Sequence, residues 1–317
     1  MPRNLVNTTI IILLLTNIYF ILLNNTNTNT SSVSSEINEE KKITRRKSLV
    51  QDFYYYTCKK MERIGGSIYS TNKQERVEGG WFVCLDKLIA PEKNNCNVLS
   101  FGINTEESFD FEMNNNFKCN VYSFDPIVEA DRFQQIRNSN KNLKNSVMIP
   151  VNDKWKFYRI GVTGSEDNVR NKNELGWIET LDNILKLTNL ENKIIDIFKM
   201  DIEVWINGNI VGIEQNVLEH LNIDYACKYF KQILIETHSS DLKSSVLFDL
   251  LKRIGKCFSL FHRDTRFIGP KYGGEIFKEA AKKSFHINLA HFENEINLIN
   301  FLLSTGELYF LNENFLS

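Results

Sequence analysis

An α/β fold with a doubly wound, mostly parallel sheet and an antiparallel strand pair near the C-terminus is predicted by three observations. Short apolar runs alternate with helical patterns, acidic residues stand at the ends of successive runs, and one run, Ile194 to Met200, is nearly continuously apolar, as a strand buried on both faces should be. The most informative stretch is Asn97 to Pro126. Val98, Leu99 and Phe101 form an apolar run bounded by Gly102; Phe109, Met113 and Phe117 then recur every four residues; Val121 to Phe124 form a second run that stops at Asp125 and Pro126. The order is strand, tight turn, helix, strand, which is half of a nucleotide-binding βαβ unit.

In such a unit Gly102 is expected to let the backbone approach a ligand where a Cβ would collide. Asn104 lies in the same loop and is assigned to the cofactor with it. Asp125, at the second strand tip, is suited to accept both hydroxyls of a ribose. The turn SFGIN has one glycine and not the G-x-G-x-x-G spacing, so a bound pyrophosphate is disfavoured. S-adenosylmethionine carries an adenosine and no phosphate, and it suits this turn better than NAD or FAD does.

With 317 residues and 42% hydrophobic content the chain has ample material for a core, and 38 Lys+Arg against 39 Asp+Glu leave a net charge of -1 with no basic stripe. Nucleic acid is excluded as an expected partner. The N-terminus differs in kind. Leu5 to Leu23 is mostly Ile, Leu, Tyr and Phe, just long enough to span a bilayer, and reads as a signal peptide of a secreted protein or as a signal anchor; no A-x-A-like junction follows, so an uncleaved anchor over residues 1–23 that joins the protein to a membrane is preferred. Residues 24–48, rich in Asn, Thr, Ser and charge, form a disordered stem. They carry the acceptor sequons Asn24-Asn25-Thr26 and Asn29-Thr30-Ser31, which agree with a lumenal body in the endoplasmic reticulum or Golgi. Lys41, Lys42, Arg45, Arg46 and Lys47 outnumber Arg3, but they lie at or beyond the range of the positive-inside bias. Residues 49–78 are a pre-domain segment with a helix from Leu49 to Ile64 ended by Gly65-Gly66, and residues 79–317 are the main domain.

The domain opens on Gly79-Gly80-Trp81-Phe82-Val83-Cys84-Leu85-Asp86. After Pro126 a polar helix is expected over Glu129 to Arg137, then strands over Val147 to Val151 and Lys156 to Val162. Leu181, Ile184 and Leu185 mark a helix before the strand Ile194 to Met200, which ends at Asp201 with Glu203 two residues on. Val217, Leu218 and Leu221 mark the next helix, Gln232 to Ile235 a strand tipped by Glu236, Thr237 and His238, and Val246 to Ile254 a further helix. A strand over Cys257 to His262 and an antiparallel pair within Phe285 to Phe310 complete the pattern. Of the six cysteines, none has C-x-x-C spacing. A Cys84–Cys96 bridge is one option in an oxidising lumen and buried free thiols the other. His238 lacks a partner at ligand spacing and His286 and His291 are five apart, so no metal site is expected.

The ordered set GGWFVCLD, VLSFGINTEESFDFEM, VYSFDP, TLDNIL, IDIFKMDIE and ILIETH resembles the methyltransferase-like protein 24 family, relatives of the FkbM-type S-adenosylmethionine-dependent methyltransferases, over roughly residues 79 to 305. The resemblance implies a class I, Rossmann-like methyltransferase domain. It makes Gly102 the glycine of the cofactor loop, Asp125 the ribose acid, and Asp201 and Glu203 the catalytic acids facing the cleft. The acceptor it implies is open among a small molecule, a glycan and a protein. Asp201 is the best-placed group to orient or deprotonate that acceptor; Glu203 either touches the cofactor's edge or caps the following helix.

The sequence departs from the family at one place. After Asp201-Ile202-Glu203 the segment Val204 to Val211 intervenes before Gly212-Ile213-Glu214 resumes the family spacing. It is read either as a longer loop at the site or as a gene-model error such as an unspliced small intron. The error is preferred, because a strand tip carrying a site is a poor place for a Trp-containing insertion. Two other functions stay open: a non-catalytic binding protein on the same fold, favoured by the sparse glycine loop and the insertion, and a Rossmann oxidoreductase, disfavoured by the missing glycines.

Overall fold

In the computed structural model the described residues are 46–47, 54–71, 74–104, 106–127, 146–169, 176–206, 209–237, 250, 253–264 and 306–316, within the compact unit Arg45–Ser317. The apolar run at residues 5–23, the stem up to residue 45, the helix expected over 129–137, and His238, His286 and His291 lie outside them. Among the described residues no helix is long and apolar enough to cross a membrane.

The strands are β1 (Arg46–Lys47), β2 (Tyr54–Tyr55), β3 (Met61–Ile64), β4 (Ser67–Thr71), β5 (Gln74–Glu78), β6 (Trp81–Cys84), β7 (Asn97–Phe101), β8 (Asn120–Phe124) and β9 (Met148–Pro150). There follow β10 (Trp155–Tyr158), β11 (Ile160–Thr163), β12 (Trp177–Thr180), β13 (Ile195–Met200), β14 (Glu203–Ile206), β15 (Asn209–Gly212), β16 (Phe230–Thr237), β17 (Phe258–Asp264) and β18 (Gly306–Asn312). Among the described residues the α-helices are α1 (Ser108–Asn115), α2 (Leu181–Leu187), α3 (Glu214–His220) and α4 (Ile223–Tyr229).

Ten strands form the main sheet in the order β1-β2-β17-β18-β16-β13-β7-β8-β10-β9. Its centre, β10-β8-β7-β13-β16, is parallel throughout. Counted in chain order, β7, β8, β10, β13, β16 and β17 run 3-2-1-4-5-6 across the sheet, the order of dinucleotide-binding folds, with β18 wedged antiparallel between the fifth and sixth. The sheet is therefore mixed and Rossmann-like. The expectation of a mostly parallel sheet is met only at its centre, because β18 and β9 each run against their neighbours. β18, which begins within the stretch Phe285 to Phe310, runs antiparallel to β16 and β17; the rest of that stretch lies outside the described residues.

Side-chain alternation divides the core into two clusters. On one side Leu99, Phe101, Phe124, Phe198 and Ile233 pack with Ile184 and Leu185 of α2, Val217 and Leu218 of α3, and Ala226 of α4. On the other, Val98, Val121, Ile197 and Leu234 pack with Phe109 and Met113 of α1 and with Trp81 and Val83 of β6. All six residues of β13 are buried, which is why its sequence reads as one apolar run. Thr180 caps α2 and Asn222 caps α4, each side chain accepting a first-turn N–H from Asn183 and Tyr225 respectively.

The helix expected from Leu49 to Ile64 is absent at its described residues. Tyr54–Tyr55 and Met61–Ile64 are strands, and the latter pairs antiparallel with β6. Tertiary pairing overrides the local pattern here. Gly65 and Gly66 follow with φ of 71° and 100°, a turn and not a helix cap. The β6 end of this unit is docked on the main sheet by Gln232, whose buried amide accepts from Cys84 N at 2.9 Å and donates to Cys84 O at 3.0 Å.

All six cysteines are paired, as Cys58–Cys84, Cys96–Cys119 and Cys227–Cys257, so neither free thiols nor a Cys84–Cys96 bridge is found. Strand register explains the choice. Asn97 and Asn120 are partners in β7 and β8, so the residues just before them, Cys96 and Cys119, stand abreast with Cα atoms 4.6 Å apart. The bridges span sequence separations of 26, 23 and 30 residues. In the chain-entropy picture each then contributes about 3–4 kcal/mol. Replacing Cys96 and Cys119 together by Ser is expected to lower the melting temperature by on the order of 10 °C. An unchanged melting curve by circular dichroism would show that the bridge does not restrain the unfolded chain.

Candidate active site

The site is built by three strand tips. Phe124, Phe101 and Met200 are register partners at the ends of β8, β7 and β13, so Asp125, Gly102 and Asp201 emerge side by side at the carboxyl edge of the sheet. The ladder runs one step past the strands: Asp125 N donates to Tyr158 O at 3.0 Å, Gly102 N to Phe124 O at 2.9 Å and Asp201 N to Phe101 O at 3.1 Å. Four of the expected site residues, Gly102, Asn104, Asp125 and Asp201, are thereby brought together.

Their local roles differ from expectation in two respects. Gly102 has φ +71°, and a Cβ there would lie 1.6 Å from the carbonyl oxygen of Asp201. The glycine is demanded by the neighbouring strand tip, before any ligand is considered. Asp125, buried at 7% exposure, faces the loop itself: Oδ2 accepts from Ile103 N at 3.2 Å and Asn104 N at 3.0 Å, and Oδ1 accepts from Ile127 N at 3.0 Å. This acid closes the turn that carries Asn104, which takes a left-handed φ of 51°. Ile127, directly after Asp125-Pro126, is 74% exposed and puts apolar surface beside the strand tip.

Asp201 is half-buried, and Glu203 begins β14, the first strand of a hairpin with β15. This hairpin is the segment Val204 to Val211. Its base is closed by Ile213 N donating to Ile202 O at 3.1 Å, while Ile202 N donates to Glu214 Oε1 at 3.1 Å. Both backbone groups of Ile202 are thus satisfied from beyond the excursion, and α3 starts where the uninterrupted pattern would start it. The backbone pairing on either side of the excursion is therefore continuous across it. The acid in the first turn of α3 is Glu214, not Glu203.

A buried polar layer below the tips was not anticipated as part of the site. Lys199, 5% exposed, donates to Gly102 O at 2.5 Å and Phe101 O at 3.3 Å, with its Nζ 5.3 Å from the centre of the Trp81 ring. Beside it lie Asp110 of α1, Ser100 and Ser123, the last accepting from Trp155 Nε1 at 2.8 Å. Burial pushes the Asp110 carboxyl up to about 6, against the Lys199 ammonium and the two serine hydroxyls, which pull it down. A lysine inside a mostly apolar strand, IDIFKM, was the sequence signal for this layer.

A cavity of ≈ 150 Å³ lies elsewhere, lined by Thr163, Thr180, Asp182, Val217 and His220 among others, and includes none of the strand-tip residues. It is smaller than the roughly 300–1,000 Å³ of typical ligand sites. Among the described residues one group of metal-ligating types stands close enough to share an ion, Cys58, Cys84 and Asp86, and its two sulfurs are joined in a disulfide.

One family model, described as a methyltransferase domain, matches residues 25–269. No curated protein matches the chain.

Two measurements test this geometry. Glu203 and Gly212 are register partners, so their Cα atoms stand about 4.5–5.5 Å apart, close to the ~3.8 Å of a peptide link. Deleting Val204 to Val211 is expected to leave the melting temperature within a few degrees of the full chain, and a large drop would mean that the hairpin packs on the domain. For Asp110, whose ordinary value is 3.8, the folded chain keeps between about pH 4 and 6 a proton that the unfolded chain has released. Stability therefore falls as pH rises through that window. Asp110→Asn removes the ionisation, so its stability gain over wild type should grow from nothing near pH 4 to as much as about 3 kcal/mol above pH 6. A pH-independent difference in urea melts would contradict the buried-carboxyl assignment.

Proposed function

The chain belongs to the methyltransferase-domain family matched over residues 25–269, and from that premise we propose that it is an S-adenosylmethionine-dependent methyltransferase of the secretory pathway. The observation that carries the proposal is the alignment of Gly102, Asp125 and Asp201 on three adjacent parallel strand tips, the crevice where open α/β sheets bind ligands. The strand order, with helices contributing to clusters on both sides of the sheet, supports the finer reading of a doubly wound class I domain of the methyltransferase-like 24 and FkbM-related kind. Three disulfides support an oxidising lumen, which the sequons at Asn24 and Asn29 and the apolar N-terminal run favour as well.

The residues present fit the cofactor. Asp125 stands at the strand tip where a ribose would lie, its carboxylate also holding the Asn104 loop that borders it, and the exposed Ile127 offers apolar cover for a flat base. The cofactor supplies an electrophilic methyl on a sulfonium. The chain's own task is to hold an acceptor in line with that methyl and to remove the acceptor's proton. Asp201, half-buried and level with Gly102, is the group placed to orient the acceptor and take that proton. Glu203, the first residue of β14, is assigned with Asp201 to the reaction as the second acid after the strand tip. The acceptor is a small molecule, glycan or protein with a hydroxyl or amine.

Titration calorimetry with S-adenosylhomocysteine and with NAD tests the proposal. The first is expected to bind and the second not; binding of NAD alone would favour an oxidoreductase. Asp125→Ala removes charge-assisted hydrogen bonds of about 1.5–3 kcal/mol each, so affinity should fall at least tenfold. Unchanged affinity in that variant would remove Asp125 from the ribose.

A further inference from the structure

The peptide unit between Gly102 and Ile103 is held from both ends. In a trans peptide the C=O and N–H point in opposite directions. Here the Gly102 carbonyl accepts from Lys199 Nζ at 2.5 Å, while the Ile103 N–H donates to Asp125 Oδ2 at 3.2 Å. A cation stands at the negative pole of this one dipole and an anion at the positive pole. Lys199 and Asp125 come from different strands, β13 and the tip of β8, and approach the turn after β7 from either side.

Stability alone does not account for a lysine at this position. Taking an ammonium out of water costs several kcal/mol before its partners offset it, and replacing a buried charge together with its counter-charge, here Lys199 with Asp110, by uncharged groups of similar size is often neutral or stabilising. Lys199 lies against the Trp81 face, in the cluster that also holds Val98, Val121 and Ile197, where a methionine would pack. What a methionine would not do is hold the Gly102 carbonyl.

We propose that Lys199 is a positioning residue for the cofactor loop: with Asp125 it clamps the Gly102–Ile103 peptide in one orientation and so fixes where Asn104 and the Asp125 carboxylate meet the cofactor. The inference rests on the cofactor reading above and adds to it a residue that does not touch the cofactor. Its consequence is that loop order and fold stability are separable at Lys199.

Lys199→Met in the full chain tests this with three readouts. Combined with Asp110→Asn, which leaves no buried carboxylate without its cation, its melting temperature is expected to stay within a few degrees of that of Asp110→Asn alone. The Ile103 and Asn104 amides should exchange with solvent at least tenfold faster, while those of Leu99 and Phe198 in the flanking strands stay unchanged. Affinity for S-adenosylhomocysteine by calorimetry should fall at least tenfold. Wild-type binding with equal affinity in the variant overturns the positioning role and leaves the cofactor reading standing. No binding by wild type overturns both. If Lys199→Met alone does not fold, the double variant Lys199→Met with Asp110→Asn carries the same expectation of a tenfold loss relative to Asp110→Asn, and equal affinity there overturns the inference.

Discussion

Register between three parallel strands is the constraint on which the rest of the structure depends. β8, β7 and β13 meet without offset at their carboxyl ends, so three consecutive tips reach one height. A slip of one residue in either pairing would exchange the two faces of a strand and carry Ser100 or Lys199 into the layer of Phe101 and Phe198. A row of rings opposes it. Tyr158, Phe124, Phe101, Phe198 and Phe230 follow one another across β10, β8, β7, β13 and β16 with centroids 5.0, 4.7, 5.5 and 5.2 Å apart. Each contact adds on the order of 1 kcal/mol beyond the area it buries.

The two faces of the same strands do different work. One is closed by that aromatic row and by α2, α3 and α4. The other keeps a serine in β8, a serine in β7 and a lysine in β13 at matching registers, with Asp110 set against them from α1. Burial of these groups opposes folding, and the disulfide Cys96–Cys119, at the opposite end of β7 and β8, offsets part of that cost. The rigid end of the strands and the polar end are thus distinct.

Much of this was legible in the sequence where local pattern and tertiary fate coincide. The run Ile194 to Met200, five of its seven residues apolar, reads as a strand and is one, with all six residues of β13 buried, and the acids at 125 and 201 follow directly on strand ends. The segment Tyr54 to Ile64 departs from the helix expected there because its strands pair outside it, Tyr54–Tyr55 with β1 and with Leu260 of β17, and Met61–Ile64 with β6. Disulfide pairing was equally hidden, since the register between β7 and β8 selects it. At the site, Gly102 and Asp125 were found for their chemistry, yet the structure gives each a backbone duty that sequence spacing could not show. Lys199 was passed over inside an apolar run, although a charge in such a strand must find partners.

The hairpin of β14 and β15 leaves the domain and returns to it through two residues that face one another. An excursion with coincident ends has no prescribed length. Its span can grow, shrink or change in composition while Ile202 and Ile213 remain bonded across its neck. Because the neck adjoins Asp201, such a loop is a natural graft point, where recognition of a new partner can be tried without altering the frame that performs the chemistry.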